Sequence, residues 1–213
     1  MIKTRQEQEA NSVWMETAGL VEVLDKLSPG QLANRASLVY VLNKFKFGTV
    51  GTEIGVDMGD FSQVILDYMK PSKLYLIDPW KIYHDFAREM REFKEGAGFG
   101  EHVYTQEYHD KRYKYVKDRF KDNNIVQIMR GMSEERIKDI PNDTLDWAYV
   151  DGSHFEEYVY KDCVELWPKI KSGGVLCGHD FTFEGVPRAL ERFSREMNII
   201  VWPYGSDWWI NKE

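Results

Sequence analysis

From Gly48 onward, short apolar runs of about five residues alternate with longer amphipathic segments. This rhythm confines the chain to βαβ units built on a parallel sheet. Seven runs qualify as strands: Val50–Val56, Lys73–Ile77, Ile125–Met129, Leu145–Val150, Val175–Gly178, Ile199–Trp202 and Trp208–Ile210. Helices are expected between them at Phe61–Met69, Ile82–Lys94, Gln106–Phe120, Glu134–Asp139, Glu156–Ile170 and Val186–Met197. The last two runs lack an intervening helix. Only Pro203-Tyr204-Gly205-Ser206-Asp207 joins them, a turn-sized link that pairs strands antiparallel. The expected fold class is therefore α/β, with a seven-stranded, mostly parallel sheet whose last strand is antiparallel, at or near an edge.

Upstream of Gly48, residues 6–45 read as two helices separated by Ser28-Pro29-Gly30. The first carries Val13, Trp14, Leu20, Val21 and Leu24 near helical spacing, and the second Leu32, Leu38, Val39, Leu42 and Phe45. At 213 residues the chain suits one domain with an elaboration. We divide it into an N-terminal helical cover over 1–47 and a sheet domain over 48–213. Within the latter, about 82–120 exceeds what a crossover needs; it is broken by Gly96, Gly98 and Gly100 and carries His84, Asp85, His102, Tyr104, Tyr108, His109, Tyr113 and Tyr115. It reads either as two solvated helices with a flexible joint or as a helical lid over the strand ends, hinged at the glycines.

Charge narrows the partners. Twenty-eight basic against 35 acidic side chains leave a net charge of −7, which disfavours bulk nucleic acid and anionic membrane surfaces. Aromatic residues make up 14% of the chain, more than a minimal core needs, so some are expected to line a pocket. Cys163 and Cys177 sit in unrelated contexts without a C-x-x-C pair. That argues against a disulfide framework or thiolate zinc site and for a reducing cytoplasm. Neither a signal peptide nor a membrane span is expected, because no apolar h-region opens the sequence and no 18-residue apolar run occurs.

In a parallel α/β sheet, small ligands bind at the carboxyl ends of the strands. The first such turn is Glu53-Ile54-Gly55-Val56-Asp57-Met58-Gly59-Asp60-Phe61-Ser62. A dinucleotide loop needs a glycine where Asp57 stands, and a carboxylate there repels a pyrophosphate. With Glu53 adding a second negative charge, the loop suits a ligand bearing an ammonium or a sulfonium. The second strand ends in Asp78-Pro79-Trp80, placing an acid where it can accept both hydroxyls of a ribose and an aromatic ring where it can flank an adenine. Asp78 could equally cap the next helix. Together the two turns point to an adenosine ligand without a pyrophosphate.

The fourth strand leads into Asp151-Gly152-Ser153-His154, and the fifth into His179-Asp180-Phe181. Neighbouring strand ends would bring Asp151, His179 and Asp180 to one rim, a constellation able to bind a divalent cation. Carboxylates favour Mg²⁺, and a coordinating imidazole tilts the choice toward Mn²⁺. Alternatively His154 or His179 is a general base oriented by Asp180, or these groups merely cap strand ends.

Taken in order, several stretches resemble the class I S-adenosylmethionine-dependent methyltransferases: Glu53-Ile54-Gly55-Val56 through Gly59-Asp60-Phe61-Ser62, Leu76-Ile77-Asp78-Pro79-Trp80, Val150-Asp151-Gly152-Ser153-His154, Gly173-Gly174-Val175 with Gly178-His179-Asp180, and Gly185-Val186-Pro187-Arg188-Ala189. Within that class they are most similar to methyltransferase family 24, near the macrocin-type sugar O-methyltransferases, over roughly residues 48–211. The resemblance implies a Rossmann-like sheet and S-adenosylmethionine as cofactor. Its binding set would be Glu53, Gly55, Val56, Asp57, Gly59, Ser62, Asp78, Trp80, Met132, Ser133 and Asp151. Glu53, Gly55 and Gly59 would surround the methionine portion, Asp78 hold the ribose, and Met132-Ser133 lie beside the adenine. Metal-dependent relatives hold Mg²⁺ through acids at positions corresponding to Asp151 and Asp180. This chain departs from them with His179 in place of a second acid, and with Ser153 where the macrocin-type enzymes carry an acid proposed as base.

The expected activity is O-methylation of a small hydroxyl acceptor, a sugar or a phenol. His154 or Asp180 would take the proton, His179 would support them, and Asp151, His179 and Asp180 would hold a metal if one binds. Three other readings compete. A catalytically silent cofactor-binding module would bind the cofactor without turnover. A hydrolase would need the nucleophile elbow that Gly131-Met132-Ser133-Glu134-Glu135 fails to complete. An oxidoreductase would need the missing middle glycine. The N-terminal helices could cover the sheet edge of their own chain or of a second copy in a homo-oligomer.

Overall fold

The computed structural model describes residues 35–83 and 105–213. The helix expected around Val13, Trp14, Leu20, Val21 and Leu24 lies outside the described residues, as does Leu32. So do the glycines 96, 98 and 100, with His84, Asp85, His102, Tyr104 and nearly all of the helix expected over 82–94.

Helix α1 (Ala36–Phe45) leads into β1 (Val50–Ile54), α2 (Asp60–Met69) and β2 (Lys73–Asp78). After the undescribed segment come α3 (Gln106–Phe120), β3 (Val126–Arg130), the short α4 (Ser133–Arg136) and β4 (Leu145–Val150). Then follow α5 (Glu156–Leu166), β5 (Ile170–Gly178), α6 (Gly185–Met197), β6 (Trp202–Tyr204) and β7 (Asp207–Asn211). The sheet has seven strands in the order β3-β2-β1-β4-β5-β7-β6, parallel except for β7, which runs antiparallel to both β5 and β6.

The order reverses between β1 and β4, and that switch point places the first, second and fourth strand ends around one crevice. Period-two alternation divides the strand residues between two cores. Leu74, Leu76, Trp147, Tyr149, Val175 and Cys177 face α1, α2 and α3, whereas Ile77, Ala148, Val150 and Leu176 face α5 and α6. Val41 of α1 is fully buried in the first of these cores, and Val116 and Phe120 of α3 are buried there too. The second half of the expected lid is therefore a helix docked on the sheet.

Several boundaries differ from the sequence reading, two of them with a clear physical reason. Strand β5 begins at Ile170, five residues early, because Leu145 pairs with Ile170 and a bulge absorbs the exposed Ser172 and Gly173 before Trp147 meets Val175. Strand β6 starts at Trp202 and includes Pro203, which the sequence reading assigned to the turn. A proline is tolerated there because β6 is an edge strand whose other side needs no donor. No helix among the described residues is long and apolar enough to cross a membrane.

Candidate functional site

A cleft of about 320 Å³ opens where β1, β2 and β4 end. Gly55 and Asp57 line it from the first loop, Asp78 and Trp80 from the second, Met132 and Ser133 from the third, and Asp151 and His154 from the fourth. Of the other expected cofactor residues, Glu53 and Val56 line an adjoining recess shared with Asp151, His154 and Asp180. Gly59 caps α2 from a left-handed conformation, and Ser62 is buried.

Glycine is required at position 55. Its φ is +87°, and a Cβ there would stand 2.2 Å from the carbonyl oxygen of Asp151, so only glycine lets the first loop lie against the fourth. Three non-glycine residues at the strand ends also adopt positive φ: Asp57 (51°), Trp80 (39°) and Asp180 (58°). Each costs roughly 1–3 kcal/mol, and such strain concentrates where backbone is held for function.

Asp78 ties the first two loops together. Its Oδ2 accepts from the amides of Val56 and Asp57, both at 3.0 Å, and its Oδ1 from the amide of Trp80 at 2.7 Å. Three of about four lone-pair positions are thus engaged, leaving capacity for a ligand hydroxyl. Burial pushes this carboxyl up to about 6 against the pull of those amides. Trp80 Nε1 donates to the carbonyl of Asp57 at 2.8 Å, fixing the indole beside the cleft.

The two negative charges read into the first loop are each offset by their surroundings. Glu53 is 1% exposed and accepts from the Ser62 hydroxyl; burial pushes it up to about 8, so it is largely uncharged near neutrality. Asp57 is paired with Arg112 of α3, which also reaches the Tyr108 hydroxyl. Local sequence shows the acid but not the distant group that answers it.

At the opposite rim, His154 Nε2 lies 2.6 Å from Asp180 Oδ2, and the His154 ring stacks on Phe183 at 4.6 Å. His179 Nδ1 is 2.9 Å from Asp180 Oδ1 and 3.8 Å from Asp151 Oδ1. Burial alone would raise Asp180, but the two imidazoles outweigh it and hold the carboxyl well below the usual carboxylate range. Gly185 permits this arrangement, since a Cβ on it would meet the His154 carbonyl at 2.1 Å.

The structure thus brings the expected trio Asp151, His179 and Asp180 together, with one ligand atom from each within 4.8 Å of the others. Two carboxylate oxygens and an imidazole nitrogen fit a divalent cation, and the imidazole favours Mn²⁺ or a similar transition metal over Mg²⁺. Asp151 offers Oδ1 to that point because its Oδ2 is taken by Arg35 at 2.7 Å.

Arg35, Tyr149, Asp162 and Asp207 were not singled out from sequence. The Arg35 guanidinium also bonds the Tyr149 hydroxyl at 2.6 Å and lies 4.3 Å from the centroid of Phe61. Asp162 of α5 lines the cleft, accepts from the Ser133 hydroxyl and is pushed up to about 7 by burial. The one signal for it was an acid on the helix face that Val159, Cys163 and Leu166 bury. Cys163 and Cys177 are buried free thiols, raised well above their ordinary value by burial.

A family profile described as a methyltransferase domain matches residues 52–181. No curated protein matches the chain by sequence. Among solved structures, the fold is similar to that of the O-methyltransferase NovP, with a TM-score of 0.55 at 16% identity, covering 85% of this chain and 78% of NovP. It is similar to a SAM-dependent methyltransferase from Aquifex aeolicus, with a TM-score of 0.53 at 14% identity over 91% and 96% of the two chains. Precorrin 8w decarboxylase from Methanobacterium thermoautotrophicum shares the fold at a TM-score of 0.52 and 16% identity, over 78% and 73%.

Proposed function

The chain belongs to the methyltransferase-domain family and is by that membership an S-adenosylmethionine-dependent methyltransferase; on this premise we propose that it methylates a hydroxyl of a small acceptor, a sugar or a phenol. One observation supports the site assignment. Asp78, the acid expected at the ribose, and His154, the base paired with Asp180, line the same cleft.

S-adenosylmethionine supplies an electrophilic methyl carbon on its sulfonium. The protein has to hold the acceptor oxygen in line with that carbon at about 3–3.5 Å and keep water out. Asp78, Trp80 and the loop at Gly55 bind the nucleoside side. His154 accepts the hydroxyl proton as the oxygen attacks, and Asp180, which stays ionised, orients the ring and stabilises the imidazolium. This division of labour follows from the environments: a carboxylate held so far down is a weak base, whereas an imidazole beside it is a competent one. A divalent cation held by Asp151, His179 and Asp180 would lower the pKa of a bound hydroxyl.

Calorimetric titration of the metal-stripped protein with S-adenosylmethionine tests the first half. Micromolar binding, about −8 kcal/mol, weakened at least tenfold by Asp78→Ala, supports the assignment. Absence of binding in wild type refutes it. A screen of sugars and phenols for S-adenosylhomocysteine release tests the second half, and a protein that binds the cofactor yet turns over no acceptor in the presence of Mg²⁺ or Mn²⁺ is the silent module instead.

A further inference from the structure

Behind the rim, a third acid faces His179 from a strand outside the family-matched segment. Asp207 opens β7, its side chain is 0% exposed, and its Oδ1 has no hydrogen-bond partner among the described residues. That oxygen stands 3.8 Å from His179 Nε2, which likewise has none. Two buried polar atoms without partners thus face each other, just beyond hydrogen-bond distance. Leaving either unmade costs roughly 1–3 kcal/mol.

Neither group is free to turn away. Asp207 Oδ2 accepts from the amide of Ser37 at 2.8 Å and from its hydroxyl at 2.5 Å, which fixes the rotation of the carboxylate and keeps Oδ1 toward the imidazole. The backbone of His179 is held by its amide on the Val150 carbonyl and by Trp208 Nε1 on its own carbonyl, both at 3.0 Å. A neutral imidazole carries one N–H. With that proton on Nδ1, the Nε2 lone pair would confront the Asp207 carboxylate. With it on Nε2, Asp207 gains a donor and Nδ1 turns its lone pair toward Asp180 Oδ1 at 2.9 Å, an arrangement that is favourable only with a cation at the point shared with Asp151 Oδ1.

We infer that Asp207 is a positioning residue that favours the Nε2–H tautomer of His179 once a cation relieves the Nδ1–Asp180 contact, so that Nδ1 serves as a metal ligand and the rim takes a divalent transition-metal ion in preference to Mg²⁺. A carboxylate behind a ligating histidine is a general device for orienting the ring and raising its basicity. Here it is supplied by β7 and locked by Ser37 of α1, both outside residues 52–181. Asp207 can play this part only if the rim binds a cation, as read above.

The test uses Mn²⁺ as probe on the metal-stripped full-length protein, with free Mn²⁺ followed by electron paramagnetic resonance. Wild type should bind Mn²⁺ at least tenfold more tightly than Mg²⁺, measured by competition. Asp207→Asn should weaken Mn²⁺ at least tenfold, because the Ser37 donors hold the amide oxygen and turn the NH₂ toward His179, reversing the tautomer preference. Ser37→Ala, which keeps the carboxylate, should change it about threefold or less. If Asp207→Asn fails to fold, ¹⁵N-histidine spectra of wild type with Zn²⁺ decide, the His179 signal being identified by its loss in His179→Gln. An Nε2–H ring with a metal-shifted Nδ1 supports the inference. It is overturned by an Nδ1–H ring, by unchanged Mn²⁺ affinity in Asp207→Asn, by equal preference for Mg²⁺, or by no Mn²⁺ binding in wild type. S-adenosylmethionine affinity measured in the same samples separates failure of this inference from failure of the methyltransferase reading.

Discussion

His154 Nε2 and Asp180 Oδ2 lie 2.6 Å apart, joining the loop after β4 to the loop after β5 across the rim of the sheet. His179 contacts the other oxygen of the same carboxylate at 2.9 Å, so one acid aligns two imidazoles. The consequence is a separation of roles, with the carboxylate remaining charged and the ring beside it left to exchange protons.

Removing either member of this pair should therefore affect turnover more than binding. His154→Gln and Asp180→Asn are expected to lower kcat about 10²- to 10⁴-fold, the range for loss of general-base assistance. S-adenosylmethionine affinity should stay within about threefold. Steady-state kinetics on the accepted substrate, with calorimetry of the cofactor, checks both. Near-wild-type kcat in both variants would remove His154 and Asp180 from the mechanism.

Asp78 should matter for stability as well as for the ligand. In Asp78→Asn one oxygen is replaced by a donor, so an amide among Val56, Asp57 and Trp80 meets an NH₂ group. We expect a loss of about 1–3 kcal/mol in urea unfolding together with at least tenfold weaker cofactor binding. Full stability combined with full affinity would contradict the geometry.

The buried Glu53 predicts an unusual pH dependence. Its carboxyl moves from an ordinary 4.5 to about 8 in the fold. Between those values the folded state holds a proton that the unfolded chain has released, so stability falls as pH rises through that window. The slope is of order 1 kcal/mol per pH unit for one such group. Glu53→Gln, which keeps an oxygen for the Ser62 hydroxyl, should flatten the decline between pH 5 and pH 8. Parallel wild-type and variant curves in denaturant melts at each pH would rule out this source.

Gly55→Ala tests the close approach of the first and fourth loops. The added methyl group meets the Asp151 carbonyl and the backbone must leave a φ of +87°. Cofactor binding should be lost and stability reduced by about 2 kcal/mol or more. An alanine variant with wild-type affinity and midpoint would show that the loops do not need this contact.

Much of the site was legible because strand ends announce themselves locally. Asp78, Asp151 and Asp180 each follow an apolar run, and in a parallel sheet such positions converge at the carboxyl edge. The groups that modify them were not legible. Arg35 reaches Tyr149 and Asp151 across 114 and 116 residues, and Ser37 reaches Asp207 across 170. No window of sequence contains both partners. Asp162 is nearer its partner Ser133, yet it lies on a helix where an acid ordinarily faces water.

Sequence by itself determined the order of strands and helices, the antiparallel return at β7 and the row of acids at the strand ends. These follow from periodicities of two and 3.6 residues and from turn chemistry, which act over a few neighbouring positions. Only the tertiary structure decided which acids keep their charge. Glu53 and Asp180 are both carboxyls at the ends of parallel strands, yet one is pushed up to about 8 and the other is held well below the ordinary range. Desolvation and the proximity of an imidazole or a guanidinium depend on what the whole chain packs around each group.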